Sequence, residues 1–378
     1  MKKLAVFLLA ALILVGGAAV FAEGGTASDP LISLSYLSGT YLPAVTKQAE
    51  ERIDARNAKV YDTAATRLKA LADLQLARAG GSYATSFAQQ RFKRGDILTL
   101  DTGSGILLLA GSAKLSFTGS GAADVTDGLS MLSGDDLLPR HRYLVGEDSL
   151  CRVTVTSDTA VLAPEGYFAL TPSGETDYNE LATALKAMGM FRGTDTAYGS
   201  GYALENTPTR IEGLIMFLRM IGEEPAALAT TAPCPFVDAP DWCKAYLTYA
   251  YEKGYTKGVG ADEAELYFLP QKTISAGEYL TFVLRALGYS DSGPAPDFTW
   301  DSAVDRGLAL RVLNPGEHAL LKQQPFLRAQ VVYTSYYALS APRKSGESLL
   351  THLTAVGAVD GAQVKQIMDG VETRRIQS

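Results

Sequence analysis

The second half of the chain repeats itself, and this repetition limits the folds open to it. The segment TRIEGLIMFLRMIG at 209–222 aligns with SAGEYLTFVLRALG at 275–288, so that Glu212 falls on Glu278. The apolar residues of both segments recur at helical spacing, and a glycine ends each pattern. Two sequence copies of one helix predict two copies of one structural unit.

Further matches extend this unit. The segment 184–193 aligns with 249–258, glycine on glycine, and a third, more divergent copy runs through 297–340. Each copy predicts a helix, a glycine-rich loop and a second helix, with a period of about 55–65 residues. Such units bury their apolar faces against one another and leave equivalent grooves between neighbours. We therefore expect residues 174–345 to fold without the N-terminal half.

The rest of the chain has other patterns. Residues 23–91 are mainly of helical period and predict a helical hairpin or a short coiled-coil spacer. Residues 92–172 alternate short apolar runs with Gly, Ser and Asp turns, which is typical of a small all-β sandwich or barrel. Residues 346–378 predict a short helical cap. The expected fold class is multidomain α+β, with a helical segment, an all-β domain and a helical repeat array.

The first residues have the pattern of an export signal. Two lysines precede an apolar run from Leu4 to Val15, and small residues lead from there to Ala22. This order predicts a signal peptide over residues 1–22 that is removed after Ala22. An uncleaved membrane anchor is the alternative, although the run is short for a membrane span. No later stretch approaches a spanning length, so we expect an exported chain with no transmembrane segment after cleavage.

Charge and cysteine usage exclude several classes of protein. The formal net charge is −7, which disfavours nucleic acids and anionic membranes as partners. Three cysteines cannot all pair within the chain; Cys234 and Cys243 either form a disulfide or stay as thiols. No Cys/His spacing matches a metal site, and the three histidines are scattered. We expect neither a metal nor a cofactor.

In repeat two, Phe236-Val237-Asp238 precedes Trp242 and a Tyr/Ala-rich helix, and the segments GYTKGVG and FVLRALG follow. This order of motifs resembles an S-layer homology (SLH) module. Thr209-Arg210-Ile211-Glu212 of repeat one matches the signature of the family at the second helix, and Leu327-Arg328-Ala329-Gln330 of repeat three stands in the same place. The three copies cover slightly under half of the chain, at about 174–222, 235–288 and 296–340.

The resemblance implies a fold, a ligand and a location. The fold is an SLH pseudo-trimer with three prongs, whose first helices form a central bundle. Its grooves hold an anionic secondary polysaccharide of the bacterial cell wall, commonly with pyruvate ketals, and so attach the protein to the peptidoglycan layer. Other surface-layer proteins are further partners. Carried onto this sequence, the candidate glycan-binding residues are Thr209, Arg210, Glu212, Asp238, Trp242, Gly258, Trp300, Arg328 and Gln330.

Residue spacing gives a second interpretation of some of these positions. Trp242, Tyr246 and Tyr249 have the spacing of a buried helical stripe, which predicts that the two tyrosines are core and leaves Trp242 open between core and groove. The Thr-x-x-Glu pattern at 209–212 is that of a capping box, which does not require Arg210. Because a guanidinium offers a planar pair of donors, Arg210 is the strongest candidate for contact with a carboxylate.

The copies also depart from the pattern of the family. Repeat two has Ala276 in place of the arginine, and repeat three has Gln330 in place of the glutamate. At most two grooves therefore keep a cation, from Arg210 and Arg328. Weaker wall binding, a different wall glycan and repeats kept for assembly alone all stay open at this point.

Two other functions compete with that of a wall anchor. A wall-active enzyme with its site in residues 31–171 would need two carboxylates across a cleft, for which Asp135-Asp136 and Glu147-Asp148 are the candidates. Adjacent acids in turns are usually solvated loop residues, and we find no nucleophile–base pair. Repeats used only for protein–protein assembly are the other alternative. We expect a non-catalytic surface protein that displays its β-rich domain.

We predict that the mature protein begins at Glu23 and fractionates with the cell envelope. The small residues up to Ala22 are those that a signal peptidase reads. Intact-mass measurement on protein from the envelope fraction checks this. A mass that still includes residues 1–22 would contradict the targeting argument and restore the membrane anchor.

Overall fold

The computed structural model describes residues 32–78, 82–194, 198–259, 265–323 and 325–377. The predicted signal peptide at 1–22 lies outside these residues. The chain divides into two compact units, one that ends at Leu74 and one that begins at Gln75. Within the described residues, no helix combines the length and the apolar character needed to cross a bilayer.

The first unit is built on one long helix. The helix α1 (Leu42–Arg78) follows a short α-helical turn, Leu34–Tyr36, and a π-helical turn, Leu37–Tyr41. At 1.5 Å per residue, α1 is about 55 Å long. Apolar side chains along it are exposed, among them Ile53 (58%) and Leu68 (67%). For this region the sequence predicted either a helical hairpin or a short coiled-coil spacer. The helix α1 is continuous from Leu42 to Arg78, so no hairpin turn lies within it.

Ten antiparallel strands begin the second unit. Their residues alternate between buried and exposed, as in β9, where Cys151, Val153 and Val155 are buried. One face of such a strand therefore lies in the core, whereas the short strands β1 and β7 have no buried residue. The strands start before the domain boundary expected at residue 92. Their bounds are β1 (Ser82–Ala84), β2 (Gln90–Lys93), β3 (Ile97–Asp101), β4 (Gly105–Ala110), β5 (Ala113–Thr118), β6 (Ala122–Asp124), β7 (Leu129–Ser130), β8 (Arg142–Val145), β9 (Leu150–Val155) and β10 (Thr159–Thr171).

The long strand β10 joins the two halves of this domain. Its first part pairs with β2 and β4, and its second part pairs with β1 and β3. Gly166, at the change of partners, has a φ of 81°, a conformation that favours glycine. The strand order is β5-β9-β3-β10-β4-β8-β6-β7, so the expected sandwich or barrel is one curled antiparallel sheet.

Each repeat supplies the two helices predicted from the sequence. The first helices are α2 (Tyr178–Ala187), α5 (Lys244–Glu252) and α7 (Ala303–Ala309). The second helices are α3 (Arg210–Met220), α6 (Ala276–Ala286) and α9 (Arg328–Ala338). The shorter helices α4 (Glu224–Leu228) and α8 (Pro315–Leu321) lie between them, and α10 (Leu349–Ala355) and α11 (Gly361–Asp369) follow.

Backbone hydrogen bonds join repeat one to repeat two. At the start of α3, the N–H of Arg210 donates to the carbonyl of Lys272 (2.8 Å), and the N–H of Ile211 donates to that of Pro270 (3.2 Å). The two acceptors lie three and five residues before Ser275, the capping residue of α6. Free N–H groups at the first turn of α3 are therefore satisfied by the loop of the next repeat.

The same bonds join repeat three to repeat one. At the start of α9, the N–H of Arg328 donates to the carbonyl of Asn206 (2.8 Å), and the N–H of Ala329 donates to that of Leu204 (3.1 Å). These acceptors again lie three and five residues before the next capping residue, Thr209. The two interfaces are thus equivalent, and the order of the repeats runs from three to one to two.

The second helices contact one another, and the first helices lie outside them. Contacts join α3 with α6, α9 with α3 and α9 with α6, while α2 packs against α9, α7 against α6 and α5 against α4. The expectation that the first helices form the central bundle is therefore wrong. The reason is burial: nine residues of α3 and ten of α9 are buried, against five of α2, so the second helices suit the centre.

The last residues close the helical half. The carboxylate of Glu180 accepts the backbone N–H groups of Glu372 and Thr373, both at 2.8 Å. Arg375 pairs with Glu317, a carboxylate that is 1% exposed. The C-terminal segment is thereby fixed to repeat one and to repeat three.

A buried ion pair joins the β domain to the helical half. Arg91 of β2 bonds the carboxylate of Glu205, and each side chain is 9% exposed. The hydroxyl of Thr159 also donates to Glu205 (2.7 Å). Burial lowers the pKa of Arg91, and the charge of Glu205 opposes that shift. Independent folding of 174–345 stays a prediction, but such a fragment would leave Glu205 without its cation.

We predict that Glu205→Ala destabilises the second unit by about 3–5 kcal/mol, because it leaves the buried Arg91 without a counter-charge. Urea unfolding of the full chain measures this. The control is Asp136→Ala, which breaks the exposed pair Lys114–Asp136 and should cost less than about 1 kcal/mol. Equal losses in the free energy of unfolding for the two substitutions would contradict the claim that a buried ion pair joins the β domain to the helical half.

Candidate functional site

An open groove lies along the interface of repeats one and two. It encloses about 480 Å³. Its lining includes Arg210 at the start of α3, the loop of repeat two at 256–259, and Trp300 of repeat three. The remaining described lining residues are Lys272, Glu278, Thr281, Phe282, Arg285 and Asp291. The groove therefore brings together three of the sequence candidates: Arg210, Gly258 and Trp300.

Lysines rather than arginines present the accessible charge of this groove. Lys257 lies 3.0 Å from Asp291, and its side chain is 48% exposed. Lys272 lies 3.7 Å from Glu278, and its side chain is 57% exposed. Each ammonium is about half exposed, whereas its carboxylate partner is 12–14% exposed. Because each carboxylate is also paired with an arginine, the ammonium can turn to a ligand without leaving that carboxylate unpaired.

The two arginines of the groove are already paired. Arg210 bonds Glu278, and its Nε–H donates to the carbonyl of Phe268 (2.9 Å). Arg285 bonds Asp291, and both of these side chains are 12% exposed. Each carboxylate is thus shared by one buried guanidinium and one half-exposed ammonium, which leaves the described lining with four cationic groups and two anionic ones.

The carboxylate of Asp291 is ionised at neutral pH. Burial alone would raise its pKa, but hydrogen bonds and charges from Arg285 and Lys257 outweigh burial and hold the pKa below its usual range. Asp291 therefore stays paired with Arg285 and Lys257 at any pH near neutral.

Gly258 lets the loop of repeat two approach the groove closely. Its φ is 75°, and a Cβ at this position would lie 2.7 Å from the ring of Phe236 and 2.8 Å from the carbonyl oxygen of Tyr267. Only glycine fits such a position without movement of its neighbours. The sequence candidate Gly258 is therefore required by the shape of this wall.

The two tryptophans differ in their surroundings. Trp300 lines the groove and is 64% exposed, so a ligand in the groove can reach it. Trp242, in the turn before α5, is 57% exposed and does not line this groove. Tyr246 and Tyr249 are each 8% exposed, which confirms the prediction that they are core residues.

Arg328 occupies the equivalent position at the interface of repeats three and one. Its Nε–H donates to the carbonyl of Tyr202 (3.4 Å), and its guanidinium lies 4.0 Å from Glu212. Tyr202 and Phe268 both lie seven residues before a capping residue, so Arg328 repeats the geometry of Arg210. Burial lowers the pKa of Arg328, and Glu212 opposes this shift.

Four further candidates have structural partners. Thr209 and Glu212 cap α3 through reciprocal hydrogen bonds, as predicted from their spacing. Asp238 accepts the backbone N–H groups of Phe268 (2.8 Å) and Leu269 (2.7 Å). Gln330 is 5% exposed and donates to Asp158 of the β domain (2.6 Å). Their role toward a glycan stays a prediction.

The third interface lacks both members of the ion pair. Where repeats one and three have arginine, repeat two has Ala276, and where repeats one and two have glutamate, repeat three has Gln330. Loss of the cation therefore accompanies loss of the carboxylate that would face it. This pattern is expected if the arginine and the glutamate act as one inter-repeat pair.

Sequence reasoning missed the residues that give the groove its charge. Lys257, Lys272 and Asp291 come from three loops and match no part of the signature. Lys257 was visible within the GYTKGVG segment, but its pairing with Asp291, 34 residues later, was not. Cys234 and Cys243, for which a disulfide was one alternative, are both free.

Comparison with known proteins gives two partial matches. A middle cell wall protein of Brevibacillus brevis (strain 47) is 27% identical over 165 residues, which cover 42% of this chain and 15% of that protein. A cell surface protein of Thermoanaerobacter kivui is 30% identical over 132 residues, which cover 33% of this chain and 16% of that protein. No family model matches the chain. The matched segments are thus small parts of much longer relatives.

Proposed function

We propose that this chain is a non-catalytic cell-surface protein that binds an anionic polysaccharide of the cell wall through the groove between repeats one and two. The observation that carries the proposal is that two half-exposed lysines, Lys257 and Lys272, line the same groove as the exposed Trp300. Lysines supply charge for carboxylates, and the indole supplies an apolar face for a sugar ring.

Charge supports an anionic ligand. The whole chain has a formal charge of −7, yet the described lining of this groove has an excess of cations. An anionic polymer is repelled by most of such a surface and attracted where cations are concentrated. The groove is therefore a favourable place for a carboxylated glycan.

The lysines, rather than Arg210, make the first contacts in this proposal. The guanidinium of Arg210 is 8% exposed and already has Glu278 as its partner. A ligand carboxylate would have to compete with a buried, charge-assisted bond within the chain. Arg210 instead holds Glu278, which in turn positions the ammonium of Lys272.

The relatives support the location. One is named a middle cell wall protein and the other a cell surface protein, and the matched segments amount to a third or more of this chain. The SLH resemblance and the predicted signal agree with such a location. We therefore propose wall anchoring through degenerate SLH repeats, with the β domain displayed outward.

We predict that Lys257→Ala/Lys272→Ala weakens binding to purified cell-wall sacculi by about tenfold to thirtyfold at low salt. Each partly exposed charge pair contributes about 1 kcal/mol, and added salt should reduce the wild-type affinity. Co-sedimentation isotherms measure this. Trp300→Ala, which removes the sugar platform, should also weaken binding.

Two controls make the test specific. Lys47→Ala/Lys69→Ala removes the same charge from α1, where both side chains are 78% exposed, and should leave binding unchanged. The wild-type protein should no longer co-sediment with sacculi from which acid has removed the secondary polymer. Equal binding by both double variants would contradict the proposal that the glycan binds in this groove. Binding that survives acid treatment would favour protein–protein assembly.

A further inference from the structure

Three metal-ligating side chains meet at one edge of the β domain. Asp124 ends β6, Asp127 lies in the following turn, and His141 directly precedes β8. Their ligand atoms all lie within 4.8 Å of one another. We propose that these residues form a binding site for a divalent transition-metal ion such as Zn²⁺.

The separations suit a shared ion. The Nδ1 atom of His141 lies 2.7 Å from Oδ2 of Asp124 and 3.7 Å from Oδ2 of Asp127. Ligand atoms about 2.0–2.1 Å from a tetrahedral zinc ion are about 3.3 Å apart, which lies between these two values. Metal binding would replace the hydrogen bond between His141 and Asp124, with only small side-chain movements.

The backbone prepares Asp124 for this role. Its side chain is 5% exposed, and its Oδ1 accepts the N–H groups of Thr126 (2.9 Å) and Asp127 (3.2 Å). Oδ2 is left to face His141. The backbone therefore holds the second carboxylate oxygen of Asp124 at the imidazole of His141.

A second histidine–carboxylate pair in the chain provides a contrast. His318 lies 2.7 Å from Asp305, the same separation as in the β domain. There, however, Lys322 also bonds Asp305 (2.9 Å), so the carboxylate already has a cation. Among the described ion pairs, Asp124 and Asp127 have His141 as their basic partner and no lysine or arginine. The two carboxylates therefore face each other and an imidazole without a lysine or arginine between them, which leaves room for a divalent cation.

The donor set selects the class of metal. Imidazole nitrogen suits zinc and other first-row transition metals, whereas calcium and magnesium prefer sets made of oxygen alone. Histidine and cysteine spacing gave no signal for this site, because two of its three ligands are aspartates from a turn. The site shares no residue with the groove, so it stands independently of wall binding.

Equilibrium dialysis of the untagged full chain against Zn²⁺, with metal measured by mass spectrometry, tests the site. We expect one zinc ion per chain, retained in the presence of excess Ca²⁺ and Mg²⁺. Asp127→Asn changes a half-exposed side chain, so it should keep the fold and weaken zinc binding about tenfold or more. His141→Ala should remove binding.

The matched control is His318→Ala, which breaks a histidine–carboxylate pair of equal length and should leave zinc binding unchanged. Thermal unfolding verifies that each variant is folded. The proposal would be overturned if Asp127→Asn bound zinc as tightly as the wild type. It would also be overturned if His318→Ala reduced zinc binding as much as His141→Ala. Displacement of zinc by equimolar Ca²⁺ would also overturn the assignment to a transition metal.

Discussion

Hydrogen bonds at the start of the second helices hold the repeat array together. In α3 and α9, the first two N–H groups donate to carbonyls of the next repeat, at equivalent positions. The first turn of a helix has no acceptors of its own, so each of these helices is completed by its neighbour. The walls of the groove, which come from different repeats, are fixed by the same bonds.

The inter-repeat ion pairs follow from this register. Once the start of α3 lies against the loop before α6, the side chain of Arg210 is brought to Glu278 at the third position of the next helix. Arg328 is brought toward Glu212 in the same way, though at 4.0 Å. Both arginines are buried, so each is stable there only while its carboxylate partner is present. Their joint absence at Ala276 and Gln330 agrees with that dependence.

Local sequence patterns predicted much of the fold. Capping boxes at Thr209–Glu212 and Ser275–Glu278 begin helices where the sequence indicated, and the helical stripe at Tyr246 and Tyr249 is buried. Alternation identified the strands but not their closure into one curled sheet, because the change of partners along β10 depends on pairing over long sequence separations. The centre of the repeats was assigned to the wrong helices for the same reason, since burial depends on neighbours.

The charge of the candidate site was the least predictable feature. The carboxylate that pairs with Arg210 lies 68 residues away in the sequence, and the one that pairs with Lys257 lies 34 residues away. No short motif could therefore reveal which cations of the groove are accessible. Trp300 was identified as a candidate, but its place in a groove with residues of repeats one and two required the structure. Three of the residues named from the resemblance line this groove, and the contacts show which of its cations remain accessible.

A double-mutant cycle on Arg210→Ala and Glu278→Gln tests most directly whether this arginine joins the repeats. Glutamine keeps an acceptor for the capping box at Ser275 while it removes the charge. Urea unfolding of the four proteins should give a coupling free energy of about 1–3 kcal/mol, as expected for a buried pair in contact. Additive effects, within about 0.5 kcal/mol, would contradict the account and return Arg210 to the role of a free ligand-binding cation.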